Sequence, residues 1–479
     1  MTPVSRSLST LIVTVLMLCC TSASLAQHQE IGEKPSIWKD REGAEDSTSL
    51  LTAFRRGSMS GHFRYFMMAT DNRKGLSDHH ANALGGGIRF ITGIYKRFQL
   101  GLSGYFVYNI GSSDLSRPDP VTGQYSRYEI GLFDVQDPGN RRDIDRLEEL
   151  FLKFHGKKVT FTLGKQLLNT PFINLQDGRM RPTEVNALWA ESKQNPVWKW
   201  QAGYIHGISP RSTTRWFRIE ESIGIYPGGV NPDGSKSGYP GEVKSRGVLL
   251  GGVTRSLGRD LKLQLWNQFA DNLFNTVMLQ ADLERPLAEN NRLIAGAQII
   301  RQDVVGNGGN PVPAKTYFPN KGKAMTFGFR AGWKNKSLET SVNYNRITAQ
   351  GRYLMPREWG RDPFFTFLPR ERNEGLGDVH AIVVKVTWKE PVHRITASIS
   401  GGHIRTPAPD AFRLNKYGMP SYDQLNLEIR YPFKGKLTGL ETQVLYVRKG
   451  LSGKQVPAEK YVINRVEMSN FNLLLNYQF

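Results

Sequence analysis

The chain has 479 residues, with 63 lysines and arginines against 43 aspartates and glutamates, a formal net charge of +20 and only two cysteines. Mean hydropathy is −0.42, and beyond the N-terminus no apolar run reaches the ~20 residues that a membrane-spanning helix needs. So basic a chain raises nucleic acid as a partner, yet no helix with a basic face and no nucleic-acid motif is present, which argues against it; in an exported protein such charge suits a route for anions or decorates loops.

The N-terminus has the layout of a secretory signal peptide over residues 1–26, with Arg6, the apolar stretch Leu11–Leu18 and a small-x-small cleavage site at Ser24-Leu25-Ala26. A lipoprotein signal acylated at Cys19 or Cys20 is the rival, disfavoured because the residue before the modified cysteine is normally small and here is Leu18 or Cys19. Both cysteines lie in this discarded segment, so the mature chain has neither a disulfide nor a thiolate site. Residues 27–59 are polar and charged and read as a periplasmic lead-in, too short for a plug domain.

From residue 60 the pattern changes to alternation. Phe63, Tyr65, Met67 and Ala69 share one face, His62 and Arg64 the other. Because a strand projects successive side chains to opposite faces, this is a strand with one oily and one wet side. Further strands are expected over 85–95, from Phe98 to Tyr108, from Leu150 to Phe154, from Val159 to Leu163, near 185–193 and from Trp198 to Tyr204. A Gly/Pro-rich loop, 207–243, then leads to 248–255, 261–269, 276–284, 292–300, 324–333, 338–345, 379–388, 395–402, 423–431 and 437–447. The last strand ends at Phe479, with Phe471, Leu473, Leu475, Tyr477 and Phe479 on one side, Asn472, Asn476 and Gln478 on the other, and Leu474 out of pattern. The total is about 18, an even number in the range of outer-membrane barrels.

Two features favour an all-β transmembrane antiparallel β-barrel, residues 60–479, over a soluble sandwich or propeller. The connections alternate between short turns, such as Lys96-Arg97 and Lys334-Asn335-Lys336, and much longer loops, and aromatics such as Phe98, Trp198, Trp333, Trp388, Tyr431 and Phe433 cluster beside the short turns. Short periplasmic turns, long external loops and aromatic girdles are the outer-membrane pattern. An apolar strand left at an open edge would invite aggregation, which closure removes. The terminal aromatic also resembles the C-terminal signal read by the barrel assembly machinery, which makes that machinery and outer-membrane lipid expected partners.

Charge on a lipid face costs about 2–4 kcal/mol near mid-bilayer for Arg or Lys. Parity therefore directs Arg64, Arg89, Lys262, Arg330, Lys385 and Arg430 into the lumen, with Glu339, Glu428 and Glu441. Taken singly, each reads as a solvated or paired wall residue; as a set they suggest a water-filled, basic lumen in which anions find weak, exchangeable sites. The third external loop, 166–184, carries Phe172, Ile173 and Leu175, which a solvated tip would not need. Folded inward against the wall, it would bury them and hold Asp177, Arg179 and Arg181 across the lumen.

Leu147–Lys165, the run Asp177-Gly-Arg-Met-Arg-Pro-Thr183 and the strand after it, together with Leu425–Tyr431 and Gly439–Arg448, resemble the OprD-type substrate-specific outer-membrane porins. The resemblance implies an 18-stranded channel for small water-soluble solutes, often carboxylates, in the outer membrane of a Gram-negative bacterium. It also implies a third loop forming the constriction, here through Asp177, Arg179 and Arg181, and a ladder of basic wall residues, for which Arg330, Lys385 and Arg430 stand by parity. Loop 207–243 has no confident counterpart, so specificity is not transferred, and whether the barrel forms a homotrimer stays open.

No catalytic, metal or cofactor constellation is expected. There is no Gly-x-Ser-x-Gly elbow; His79-His80 reads as a solvated loop pair, and Gly85-Gly86-Gly87 as the start of a strand. A passive channel is the first reading. An outer-membrane barrel enzyme of lipase or protease type is the second, and an energy-coupled receptor the third, since that class needs a large N-terminal plug.

Overall fold

The computed structural model describes Trp38 and residues 47–142, 144–175, 179–193, 195, 197–288, 290–453 and 456–479. The proposed signal peptide, 1–26, and most of the lead-in lie outside them. Eighteen strands form the wall: β1 (Ser58–Asp71), β2 (His79–Ile91), β3 (Phe98–Ser112), β4 (Arg146–His155), β5 (Val159–Gln166), β6 (Glu184–Ser192), β7 (Trp198–Ser209), then β9 (Val248–Leu257), β10 (Leu261–Ala270), β11 (Phe274–Ala288), β12 (Asn291–Val304), β13 (Lys323–Lys334), β14 (Leu338–Ile347), β15 (Val379–Lys389), β16 (Thr396–Arg405), β17 (Tyr422–Pro432), β18 (Leu440–Leu451) and β19 (Met468–Gln478). The two-residue β8 (Phe217–Arg218) is extra and hangs on β7 inside the β7–β9 loop.

All wall pairings are antiparallel, and β7 pairs directly with β9 past the extra strand. The sheet closes where β19 meets β1, in register from His62↔Gln478 to Asp71↔Ser469. Gly61 and Phe479 exchange backbone hydrogen bonds at 3.1 and 3.0 Å, and the Phe479 ring stacks on Phe63. Closure satisfies the peptide groups that an open edge would leave bare in hydrocarbon.

The alternation holds around the circle. Phe63, Leu84, Leu102, Leu163, Leu188, Val253, Leu265, Leu279, Phe329, Val342, Ile382, Ile399, Leu427 and Phe471 form an exposed apolar exterior. Phe98, Trp198, Trp388, Tyr477 and Phe479 stand exposed at the end that carries the short turns. Leu474, the residue that breaks the terminal pattern, faces inward and joins an internal apolar cluster with Phe66, Met68 and Met180.

Strand starts are where the sequence reading fell short. β2 begins at His79, so His79 and His80 pair with Thr70 and Ala69 in the wall and are not loop residues. The glycines 85–87 accordingly lie mid-strand. A Cβ at Gly85 would stand 2.7 Å from the Phe106 carbonyl oxygen, and one at Gly87 would stand 2.7 Å from the Gly104 carbonyl oxygen and 2.8 Å from the Tyr105 ring. They are glycines because β3 crowds that face. The lead-in is also less simple than its polarity suggested. A short helix, Leu50–Arg55, is capped by Ser49 and bonds the β2–β3 turn through the Ala53 carbonyl. Trp38 is buried beside the inward-facing His62 and Arg89.

Side-chain direction can be checked at one outward position on β14. Val342 is 53% exposed among apolar neighbours. Val342→Arg is expected to destabilise the barrel in lipid vesicles by about 2–4 kcal/mol in denaturant titrations, and Val342→Ala by much less.

Candidate solute pathway

Parity places every proposed wall cation on the inner face, and there Arg64, Arg89, Arg330, Lys385 and Arg430 each find a partner. Arg64 on β1 donates to Asn476 Oδ1 at 2.6 Å and to the carbonyl of Arg179. Arg89 on β2 pairs with Glu149 at 3.1 Å, and Arg330 on β13 pairs with Asp282 at 3.4 Å. Lys385 on β15 donates to the carbonyls of Phe365 and Phe367, both at 3.0 Å. Arg430 pairs with Glu428. Lys262 is half-buried, within reach of the charges of Glu284, Lys199, Asp282 and Lys334.

The third external loop packs inside. Phe172 and Ile173 are fully buried against Val185, Ala187 and Trp189 of the inner wall, while Leu175 is only half-buried. Thr170 closes the turn by bonding Ile173 through both backbone and side chain. Of the three residues expected to line the gap, Asp177 lies outside the described residues. Arg179 takes a left-handed backbone, φ 48°, with its carbonyl held by Arg64. Arg181 is only 2% exposed, and burial lowers its guanidinium to about 10. Arg181 is thus buried and donates to the Ile144 carbonyl at 3.4 Å, while Arg179 is half-buried.

A second internal loop escaped the sequence reading. Residues 348–378, between β14 and β15, are almost wholly buried. Each wall segment they cross supplies a polar tie. Gln302 donates to the Leu354 carbonyl at 2.7 Å and Gln298 to the Pro363 carbonyl at 3.0 Å. Gln424 donates to the Pro369 carbonyl at 2.7 Å, and Arg370 reaches Asn470 and Asn472 on β19 at 2.9 and 2.5 Å. The Phe365 ring fills a niche left by two glycines, Gly296 on β12 and Gly328 on β13. The Arg330 guanidinium lies 5.1 Å over that ring.

The two loops meet. Asn174 Nδ2 donates to the Arg361 carbonyl at 3.0 Å, and Thr183 donates to the Glu358 carbonyl at 2.9 Å. The β7–β9 loop joins them through Trp359 Nε1, which donates to Ser222 Oγ at 3.0 Å. Charge fixes the far side. Glu371 takes Lys449 of β18 at 2.7 Å and Arg127 of the β3–β4 loop at 2.8 Å. Burial would raise the Glu371 carboxyl, but Arg127, Lys449 and Arg357 hold it down to about 2. Asp362 is pushed up to about 6 by burial and by Glu374, against the opposing pull of Arg372 and Arg357. Lys449 is wholly buried; the same parity rule marks it as inward, but the strand was expected to end at Val447, two residues short.

A closed eighteen-stranded cylinder with an apolar exterior, a charged interior and external loops folded inward is the build of a transmembrane β-barrel of the outer membrane. Its fold is the one seen in solved OprD-type, or Occ, substrate-specific porins. OpdK of Pseudomonas aeruginosa, crystallised with vanillate, matches with a TM-score of 0.69 at 13% identity over 89% of this chain and 99% of its own. OccD3 (OpdP) of the same organism matches at 0.69 and 12% identity, over 94% and 97%. OccAB4 of Acinetobacter baumannii matches at 0.68 and 13%, over 88% and 98%. No protein-family profile and no curated protein sequence matches the chain. At such identities the likeness is one of fold, and at that level it agrees with the resemblance drawn from the sequence.

Glu371 gives a pH test of the loop's anchorage. A carboxyl held below its ordinary 4.5 contributes order that is complete above that value and is lost as pH falls toward about 2. Asp362, raised from 3.8 to about 6, acts in the opposite sense and only between those values. The protection of residues 348–378 against hydrogen exchange, taken relative to the intrinsic rate at each pH, is therefore expected to fall between pH 4.5 and about 2. Glu371→Gln should remove that dependence while exchanging faster at neutral pH, since breaking a buried pair costs about 3–5 kcal/mol.

Proposed function

We propose that the protein is an outer-membrane channel for the passive diffusion of small water-soluble solutes, with a preference for anions that carry a carboxylate. The observation that carries this reading is the pair of inward loops, 167–183 and 348–378, which narrow a charged lumen at a level rich in arginine. Arg179, Arg361, Arg370 and Arg372 belong to these loops, and Arg64 and Lys385 hold them from the wall. A guanidinium presents two parallel donors to a carboxylate, and partly engaged arginines give sites weak enough to release what they bind. The relative with the matching fold that was crystallised with vanillate, the anion of an aromatic acid, supports the same substrate class.

The roles of the two arginines of the third loop separate on burial. Arg179 is assigned to the solute path, with Arg64 bonded to its carbonyl and the wall cations Lys385 and Arg330 at the second loop; Arg181 is assigned to holding the loop. The purified barrel in a planar bilayer is expected to conduct, with a reversal potential in asymmetric KCl that shows chloride preference, and to be blocked by aromatic carboxylates. Arg179→Gln should lower the anion-to-cation permeability ratio roughly twofold, since one unit charge at ~8 Å in water is worth about 0.5 kcal/mol. Arg181→Gln should instead lower stability and leave noisier current steps. Absence of conductance, or cation preference in the wild type, would overturn the reading.

A further inference from the structure

The outer face of the wall carries a charge pattern that solute passage does not use. On β14, β15 and β16, Arg346 lies directly opposite His380, and His380 directly opposite Arg405. The three form one lateral row at the ends of the strands that carry the long loops. They point outward, on the same face as the exposed Val342, Ile382, Val384 and Ile399 that make up the apolar exterior below them. Arg448, also exposed, adds a further guanidinium on β18.

The acids nearby balance the row only in part. Asp378 pairs with Arg346, whose guanidinium is also held by the Ile347 and Val379 carbonyls, while Asp423, at 2.7 Å from His403, serves the neighbouring level and Arg405 forms no ion pair among the described residues. Tyr344, one pair below, places its hydroxyl 2.8 Å from His380 Nδ1. With the tyrosine donating, Nε2 keeps the ring hydrogen and is left to donate to an anion. A cationic lipid-facing residue is tolerated at the interface and not at mid-bilayer, so the row belongs at headgroup level. A tyrosine at its lower edge agrees with that level.

We propose that the row Arg346–His380–Arg405 is a binding site for the phosphate groups of the glycolipid in the outer leaflet. Two guanidiniums flanking an imidazole donor match the tetrahedral array of phosphate oxygens, and the apolar band below them receives the acyl chains. The occupant is a lipid phosphate and not a free one, because the row opens sideways onto the membrane and not into the lumen. The inference rests on the channel reading only for its orientation, with the long loops outside the cell.

The test uses the full barrel. Purified protein is mixed with bisphosphorylated lipid A, with the dephosphorylated glycolipid or with inorganic phosphate, and retained ligand is counted by native mass spectrometry. Conductance of each preparation is recorded separately. Wild type should retain bisphosphorylated lipid A, and Arg346→Gln with Arg405→Gln should retain about thirtyfold less, the loss expected for two cations near a lipid surface. Conductance should be unchanged in the variant. Arg255→Gln, which removes an outward arginine at the opposite end, over the Trp198 ring, should retain lipid normally. Should Arg346→Gln disturb the β14–β15 loop through Asp378, His380→Gln with Arg405→Gln gives the same readout. The proposal is overturned if wild type retains no lipid A, if the variants retain it equally, if the dephosphorylated form binds as well, or if only inorganic phosphate binds. Lipid retention without conductance would sink the channel and leave this site standing.

Discussion

Hydrocarbon offers a peptide group no hydrogen-bonding partner, and the whole architecture follows from that. The sheet must end where it began, and it does so through the pairing of β1 with β19. Closure fixes one face of each strand toward lipid and the other toward a shared interior. The interior can then be polar, because its charges face each other across a few ångströms instead of facing acyl chains. Phe479 sits on this seam, with its backbone on Gly61 and its ring on Phe63. The last residue of the chain thus completes the hydrogen-bond circuit of the first strand.

Inside, the cations do two things that a charge count does not separate. Arg64, Lys385 and Arg370 hold loop carbonyls or wall amides, so they set the shape of the opening. Arg89, Arg330 and Arg430 are matched to Glu149, Asp282 and Glu428 and soften the local field. Buried pairs of this kind add little net stability, but removing one partner is costly because it strands the other. Lys449, Glu371 and Arg127 show the consequence, since three separate elements are held in one arrangement by charges that none of them could bury alone.

The wall was legible from sequence because a period of two is a local property. Each strand declares its faces without reference to any other, and even Leu474, the misfit, is explained by an inward apolar cluster. Strand ends were less legible: glycines 85–87 look like a boundary but answer to crowding, Gly85 and Gly87 from β3 and Gly86 from Phe63 of β1. The third loop could be assigned inward from Phe172 and Ile173, whose apolar character makes no sense at a solvated tip. The loop 348–378 carries a similar signal in Trp359, Phe364, Phe365 and Phe367, but the sequence reading passed over it as a long connection. The partners of Arg352, Arg370 and Glu371 lie in the β7–β9 and β16–β17 loops, on β18 and β19 and in the β3–β4 loop, far away in sequence, and no local pattern announces them.

The seat of Phe365 has a wider meaning. One ring drops into a notch made by two missing side chains, Gly296 and Gly328, while Gln298 and Gln302 take up backbone carbonyls and Arg370 and Glu371 fix the far end. A carbonyl is common to every residue, so the wall glutamines ask little of the side chains they hold, whereas the notch asks for a ring and the far end for ions. Between those fixed points the insert can change its sequence without any retooling of the tube.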